Sequence, residues 1–310
     1  MISRAARVHV AGHRGLVGSA VWRCLADEGF TDLVGRSSAE LDLRDRDAVD
    51  SFYDQERPEY VVLAAARVGG ILANSTRPAE FLSDNLRIQV NVLDAAARTG
   101  VRKVLFLGSS CIYPRLAPQP ISEDALLTGP LEATNDSYAI AKIAGILHVQ
   151  ALRRQYGLPY ISAMPTNLYG PGDNFDLESS HVLPAMIRKF HDAKAAGASS
   201  VTLWGTGTPR REFLHVDDLA RACLLLLETY DEDGALNVGC GDDVTIAELA
   251  AKVAEIVGFE GELVWDRSMP DGTPRKLLNT SRINALGWSP EVELSDGLKR
   301  TYSWFLENVA

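Results

Sequence analysis

The stretch Arg7-Val-His-Val-Ala-Gly-His-Arg-Gly-Leu-Val-Gly18 decides the fold of this 310-residue chain. Its apolar start at 7–11 predicts a short buried strand, and the following run through Val21, Trp22 and Leu25 predicts a helix. Between them lie three glycines spaced G-x-x-G-x-x-G, which allow a tight turn and close approach of a pyrophosphate to the backbone. The N-terminus of the helix offers free N–H groups to the same ligand. The stretch therefore predicts a dinucleotide site formed by Gly12, His13, Arg14, Gly15, Leu16, Val17 and Gly18.

Strands and helices are predicted to alternate after this turn. Further strands are expected at 32–34, 60–64, 103–107 and 160–164, and helices at 45–56 (capped by Asp45), 80–99 and 138–156. This alternation predicts the α/β class, with a doubly wound parallel sheet of the Rossmann type. We expect an NADP-binding domain over residues 1–170, with ligands beyond the carboxyl ends of the strands.

The second half of the chain has a less regular pattern. Helices are predicted at 181–196, 245–257, 282–286 and 295–307, strands at 201–204 and 235–238, and a strand-to-helix step at 213–219 with Asp217 as its N-cap. We interpret residues 171–310 as a smaller α+β domain that binds the substrate. Residues 213–240 are expected to return to the large sheet.

Charge and composition narrow the function. The net charge of −10 argues against binding to nucleic acid or to an anionic membrane surface, so an anionic ligand would need a local basic pocket. No apolar run approaches the ~20 residues that cross a bilayer, and the start has no signal-peptide core, which predicts a cytosolic protein. Cys24, Cys111, Cys223 and Cys240 lack metal-binding spacing, so we expect reduced thiols and no metal.

Tyr138 and Lys142 are the first catalytic candidates. Their spacing places both side chains on one face of a helix, about one turn apart. A nearby ammonium favours the phenolate and is expected to lower the pKa of Tyr138, so that the phenol can exchange a proton with a carbonyl or alcohol. Ser109, at the end of a predicted strand, could hydrogen-bond the same oxygen and stabilise developing alkoxide charge.

The cofactor preference is predicted from the end of the second strand. An NAD site usually places an acidic residue there to hold the ribose 2′-hydroxyl, but this chain has Gly35-Arg36-Ser37-Ser38. Arg36 and Arg14 could grip a 2′-phosphate instead, which favours NADP (NADPH) over NAD. Both arginines could alternatively be solvated surface charges.

These motifs, together with Pro165-Thr-Asn-Leu-Tyr-Gly-Pro171, resemble the extended short-chain dehydrogenase/reductase family along the whole chain. The resemblance implies further cofactor contacts at Leu107, Gly108, Ser109, Ser110, Lys142, Pro165, Thr166, Asn167, Leu168 and His181. It also implies a homodimer that associates through the helices at 80–99 and 138–156.

The residues after Ser109 indicate a branch of that family. Sugar-nucleotide dehydratases carry an acidic pair there, whereas this chain has Ser110 and Cys111. A thiol and the imidazole of His181 could remove and return protons beside a ketone. The chain resembles enzymes that epimerise C3 and C5 of GDP-4-keto-6-deoxy-D-mannose and then reduce C4 with NADPH. That resemblance assigns epimerisation to Cys111 and His181, leaving base and acid open, and reduction to Ser109, Tyr138 and Lys142.

Five residues are expected to bind the GDP-sugar by the same resemblance: Lys189, Trp204, Arg211, Asp271 and Lys276. The cations could neutralise a diphosphate, the indole could stack on a base or sugar face, and the carboxylate could accept hydroxyl hydrogen bonds. Trp204 could alternatively belong to the core, and Lys189 could be solvated. Two rival functions also remain: another sugar-nucleotide 4-epimerase or 4-reductase, and a non-catalytic NADP-binding protein.

Overall fold

The computed structural model describes residues 1–310 and contains thirteen strands and ten helices. The strands are β1 (Val8–Ala11), β2 (Leu33–Val34), β3 (Tyr60–Leu63), β4 (Lys103–Leu107), β5 (Ile161–Pro165), β6 (Asn167–Tyr169), β7 (Ser200–Trp204), β8 (Arg210–Arg211), β9 (Phe213–His215), β10 (Ala235–Val238), β11 (Val244–Thr245), β12 (Glu262–Asp266) and β13 (Arg275–Lys276). The helices are α1 (Leu16–Asp27), α2 (Arg46–Glu56), α3 (Ile71–Thr76), α4 (Pro78–Thr99), α5 (Asp136–Tyr156), α6 (Val182–Ala195), α7 (Val216–Thr229), α8 (Ile246–Val257), α9 (Ser281–Ala285) and α10 (Leu294–Asn308).

Six strands form one parallel sheet in the order β10-β5-β4-β3-β1-β2. The chain winds outward from β1 in two directions, so the strand order reverses between β1 and β3. A reversal of this kind leaves a crevice at the carboxyl ends of the central strands, where open α/β sheets bind ligands. The predicted doubly wound Rossmann-type sheet is confirmed.

Helices cover both faces of this sheet. Helices α1 and α7 pack on one face, and α2, α4 and α5 on the other. Because both faces are covered, every residue of β1, β3, β4 and β5 is buried, which explains why these strands are mostly apolar. No helix combines the length and apolar character needed to cross a bilayer.

The second half of the chain forms three small sheets and a separate apolar core. Strands β11, β8 and β13 form a three-stranded sheet, and β12–β7 and β6–β9 form parallel pairs. Helices α6, α8 and α10 enclose a third apolar core. Within 213–240, β10 is a strand of the large sheet and α7 packs on one of its faces. Strand β9 pairs with β6 outside that sheet. The division into two domains stays a prediction.

The two predicted helix caps have different outcomes. Asp45 caps α2 as predicted, and its side chain accepts a hydrogen bond from the N–H of Ala48 at 3.1 Å. The prediction that Asp217 caps α7 is wrong. The helix begins at Val216, two residues earlier than an Asp217 cap would imply, and the ring of His215 accepts from the N–H of Asp217 at 3.3 Å. A buried imidazole thus takes the place of the expected carboxylate.

Candidate active site

A cavity of about 1170 Å³ runs along the carboxyl ends of the central strands. The glycine turn after β1 and the segment after β4 line one end. Strand β7 and the loop before β13 line the other. A cavity of this size can enclose two ligands side by side. It lies in the crevice that the strand order predicts.

The glycine turn fits a pyrophosphate. Gly12 has a φ of +85°, and a Cβ there would come within 2.8 Å of the N atom of Ala65. A Cβ on Gly18 would overlap the carbonyl oxygen of Gly12, so α1 can approach the turn only with glycine at this position. Helix α1 has no side-chain cap, which leaves its first N–H groups free for an anion. Gly12 and residues 15–18 line the cavity.

The other two residues of the turn lie outside the lining. The ring of His13 packs beneath Gly35 and lies 5.3 Å from the ring of Trp22, so it supports the turn from behind. Arg14 is exposed at the rim. Arg36 does line the cavity, with its guanidinium 5.7 Å above Phe52 and Nη2 donating to Glu56 at 2.7 Å.

Tyr138, Lys142 and Ser109 meet at the middle of the cavity. Lys142 is buried, its Nζ donates to the carbonyl of Leu107 at 2.7 Å, and it lies 5.9 Å from the centre of the Tyr138 ring. The hydroxyl of Ser109 accepts from the N–H of Cys111 at 3.3 Å, which fixes the turn that follows β4. The structure therefore brings together the three residues predicted for reduction.

The predicted effect of Lys142 on Tyr138 is wrong. Burial raises the pKa of Tyr138, the nearby Cys111 raises it further, and only a hydrogen bond with Ser109 opposes the rise. Burial also lowers the pKa of Lys142, to about 8. Desolvation outweighs the attraction of an ammonium whose own charge is disfavoured, so Tyr138 is held as a neutral phenol that can donate a proton.

Cys111 has two hydrogen-bond donors at its sulfur. Asn135 Nδ2 lies 3.4 Å and Lys276 Nζ 3.6 Å from Sγ, and both would stabilise negative charge there. Lys276 was predicted only as a substrate contact. Asn135 was missed, although it immediately precedes α5, because a residue in that position normally caps the helix. Its side chain makes no cap and is directed to Cys111 instead.

His181 lines the cavity as the first residue before α6. Its ring is accessible to water inside the cavity, but the walls surround it, and this desolvation together with Lys276 lowers its pKa. The segment before it rests on the turn before α3. The N–H of Gly70 donates to the carbonyl of Ser179 at 3.0 Å, and a Cβ on Gly70 would overlap the carbonyl oxygen of Ser180.

The predicted substrate residues lie at the far end of the cavity. Lys189 lies 5.9 Å from the centre of the Trp204 ring, and burial lowers its pKa, so it is not a freely solvated lysine. Trp204 is 42 % exposed and lines the cavity, which rules out a core position. Asp271 accepts two hydrogen bonds from Thr206, both at 2.8 Å, and its carbonyl accepts from Arg211 at 3.5 Å.

A buried carboxylate joins the segments that carry the cations. Glu212 has no exposed surface; its Oε1 accepts from the N–H of Gly241 at 2.7 Å and its Oε2 from the N–H of Leu278 at 3.0 Å. Its own carbonyl accepts from Asn167 at 2.7 Å. Glu212 follows Arg211 directly, and Leu278 is two residues after Lys276. Sequence reasoning missed it because an acid beside an arginine is usually a surface pair.

Comparisons with known proteins agree with this geometry. Residues 8–239 match the NAD dependent epimerase/dehydratase family. GDP-L-fucose synthase 1 of Arabidopsis thaliana is 60 % identical over 309 residues, which cover 100 % of this chain and 96 % of the relative. GDP-L-fucose synthase of Escherichia coli (strain K12) is 53 % identical over 311 residues, with 97 % of each chain covered.

A solved structure shows the same likeness in three dimensions. It is a GDP-L-fucose synthetase from Naegleria fowleri bound to NADP. The two folds superpose with a TM-score of 0.91 at 29 % identity, covering 99 % of this chain and 96 % of that one.

Proposed function

The chain belongs to the NAD dependent epimerase/dehydratase family, and from that premise we propose that it converts GDP-4-keto-6-deoxy-D-mannose into GDP-L-fucose with NADPH. The reaction joins epimerisation at C3 and C5 to reduction at C4. One observation carries the proposal beyond family membership: a thiol and an imidazole line the same cavity as the tyrosine, lysine and serine of a reductase. A reductase or a 4-epimerase alone has no need of Cys111 and His181.

Epimerisation depends on the C4 ketone, which acidifies the hydrogens at C3 and C5. Cys111 and His181 would remove a proton from one face of each carbon and return one to the other face. His181 is suited to accept a proton because its lowered pKa keeps the ring neutral near neutral pH. Cys111 is suited to proton transfer because Asn135 and Lys276 support a thiolate.

Reduction requires an acid at the C4 oxygen. Bound NADPH supplies the hydride for C4. Tyr138 would donate its proton to the oxygen, and Ser109 would hydrogen-bond it as negative charge develops. Lys142 is anchored by Leu107 below the cavity, so its remaining N–H groups can hold a ribose hydroxyl. The glycine turn would receive the pyrophosphate.

A substrate and cofactor panel tests the proposal. Purified protein is supplied with GDP-, UDP- and dTDP-linked 4-keto-6-deoxy sugars and with NADPH or NADH, and consumption is followed by absorbance and products by NMR. We expect stoichiometric NADPH oxidation with the GDP-sugar and an L-fuco product. A product that retains the D-configuration would contradict the proposed epimerisation at C3 and C5. No net oxidation would favour the 4-epimerase or the non-catalytic alternative.

The proposal includes a cytosolic homodimer. The outer faces of α4 and α5 expose Val90, Ile140 and Leu147 to 37, 46 and 41 %, which is unusual for apolar side chains on neighbouring helices. Four unpaired cysteines support a reducing compartment. Sedimentation should give a dimer, and the double variant Ile140→Glu/Leu147→Glu a monomer. A monomeric wild type at micromolar concentration would contradict the dimer.

A further inference from the structure

The turn at residues 37–41 borders the cofactor end of the cavity. Ser38 and Leu41 line that end, and Glu40 lies between them at the surface. Its Oε2 accepts from the N–H of Ser37 at 2.7 Å and from the Ser37 hydroxyl at 2.6 Å. The N–H of Glu40 in turn donates to the carbonyl of Ser37 at 3.0 Å. The carboxylate is thus held in place by its own turn.

The fixed carboxylate shares this end with two arginines. The hydrogen bonds from Ser37 lower the pKa of Glu40 first, and Arg14 and Arg36 lower it further. The pKa of His13 is affected by the same three side chains. Besides burial, Arg14 and Arg36 lower the pKa of His13, while Glu40 raises it. Because Ser37 directly follows the cavity-lining Arg36, the Glu40 carboxylate that Ser37 holds lies next to the segment that carries this arginine.

Arg36 already has a carboxylate partner. Its Nη2 donates to Glu56 Oε1 at 2.7 Å, and its guanidinium lies over Phe52. Arg14 has no carboxylate within ion-pair distance. Glu56 is shared with Arg7, whose Nη1 lies 3.3 Å from Oε2. A 2′-phosphate beside Arg36 would also meet the negative charge of Glu40 on Ser37.

We propose that Glu40 is a specificity-determining residue that weakens the preference for NADPH over NADH, because its carboxylate is fixed on Ser37, directly after Arg36, where a 2′-phosphate would be recognised. The inference rests on the proposed use of NADPH. The two cofactors differ here only in that phosphate. An uncharged 2′-hydroxyl can donate to a carboxylate, whereas a dianionic phosphate is repelled by it.

The test is Glu40→Gln, which removes the charge and keeps the turn. The amide oxygen of glutamine can still accept from the N–H and hydroxyl of Ser37. We expect adenosine 2′,5′-bisphosphate to bind about three- to tenfold more tightly, with AMP affinity unchanged, in calorimetric titrations at low salt. The gain should shrink at high ionic strength, which a purely structural effect would not do. The NADPH-to-NADH ratio of kcat/KM should rise by a similar factor, through KM.

Glu248→Gln is the matched control. Glu248 accepts from the N–H and hydroxyl of Thr245 at 2.7 and 2.9 Å, so it forms the same motif at the start of α8, away from the glycine turn. The Glu248→Gln variant should leave the affinities for adenosine 2′,5′-bisphosphate and for AMP unchanged.

Two results would overturn the inference alone: an unchanged bisphosphate-to-AMP ratio in a normally folded Glu40→Gln protein, or equal strengthening of both nucleotides. Wild-type protein that binds neither the bisphosphate nor NADPH would instead overturn the proposed cofactor, and the inference with it.

Discussion

Lys142 carries a positive charge into a buried position, where its Nζ is held by the Leu107 carbonyl and the face of Phe106. Burial lowers its pKa to about 8. Between that value and the ordinary lysine pKa near ~10.4, the unfolded chain binds a proton that the folded chain does not, so the free energy of unfolding rises with pH across this window. Below it, the buried charge has its full cost.

We therefore expect Lys142→Met to raise the free energy of unfolding by about 2 kcal/mol near pH ~7 while abolishing reduction. Methionine keeps the unbranched stem and removes the charge. The gain should shrink as the pH rises from about 8 towards 10, because wild-type lysine then becomes neutral. Urea unfolding at several pH values measures this. A variant less stable than wild type at every pH would contradict the buried-charge argument.

Tyr138→Phe and Cys111→Ser should separate the two halves of the reaction. The first removes the phenolic hydroxyl that would donate the proton, so NADPH oxidation should fall about 10²- to 10⁴-fold while deuterium exchange at C3 and C5 continues. The second replaces a thiol by a poor base, so exchange should be lost. NMR in heavy water and absorbance measure the two rates on the same samples. Normal exchange in Cys111→Ser would refute its role.

At the scale of single residues, sequence reasoning identified the positions of the candidate residues more reliably than their pKa values and contacts. The four-residue spacing of Tyr138 and Lys142 was enough to place both in one site. The direction of the Tyr138 pKa was wrong, because desolvation is a property of the assembled cavity. Asn135 could not be found at all, since its contact with Cys111 joins the start of α5 to the turn after β4.

Among the elements, the contact between the turn before α3 and the segment before α6 determines where His181 lies. Gly70→Ala would place a Cβ against the carbonyl oxygen of Ser180 and shift that segment. We expect deuterium exchange to fall at least about tenfold and stability by about 1–3 kcal/mol, with NADPH affinity retained. Exchange rates and calorimetric titration measure these effects.

Gly261→Ala provides the matched control. A Cβ there would meet the ring of Phe259 and come within 2.8 Å of the carbonyl oxygen of Ser199, which is comparable crowding away from the cavity. This variant should lose stability without a specific loss of exchange. Equal losses of exchange in both variants would show that crowding alone, and not the placement of His181, is responsible.

The strands of the large sheet were predictable, whereas several strands outside it were not. The large-sheet strands are mostly apolar because helices cover both faces, and their positions were predicted to within one or two residues. The five-residue β12, which lies outside that sheet, was missed. Strands β8 and β13 have two residues each and pair Arg210 with Arg275. No local pattern marks such a pair, because the interaction joins segments far apart in sequence.

For the whole molecule, Glu212 links the large sheet to the sheet that carries Arg211 and Lys276. Glu212→Ala would leave the N–H groups of Gly241 and Leu278 without partners, so we expect a loss of about 3 kcal/mol in the free energy of unfolding. The KM for the sugar nucleotide should rise more than the Kd for NADPH. Glu260→Ala, at an exposed acid, is the control. Denaturant unfolding that shows equal stability for the two variants would contradict this role.

Both donors to the buried carboxylate of Glu212 are main-chain amides. A main-chain amide is present whatever amino acid occupies the position, proline excepted. The joint between the two ends of the cavity therefore depends little on side-chain identity. Recombination after Gly239 could replace the following segment, which carries Asp271 and Lys276, and leave the dinucleotide site and Lys189, Trp204 and Arg211 in place. Fusions between distant relatives at that boundary would measure how far this segment alone determines the sugar preference.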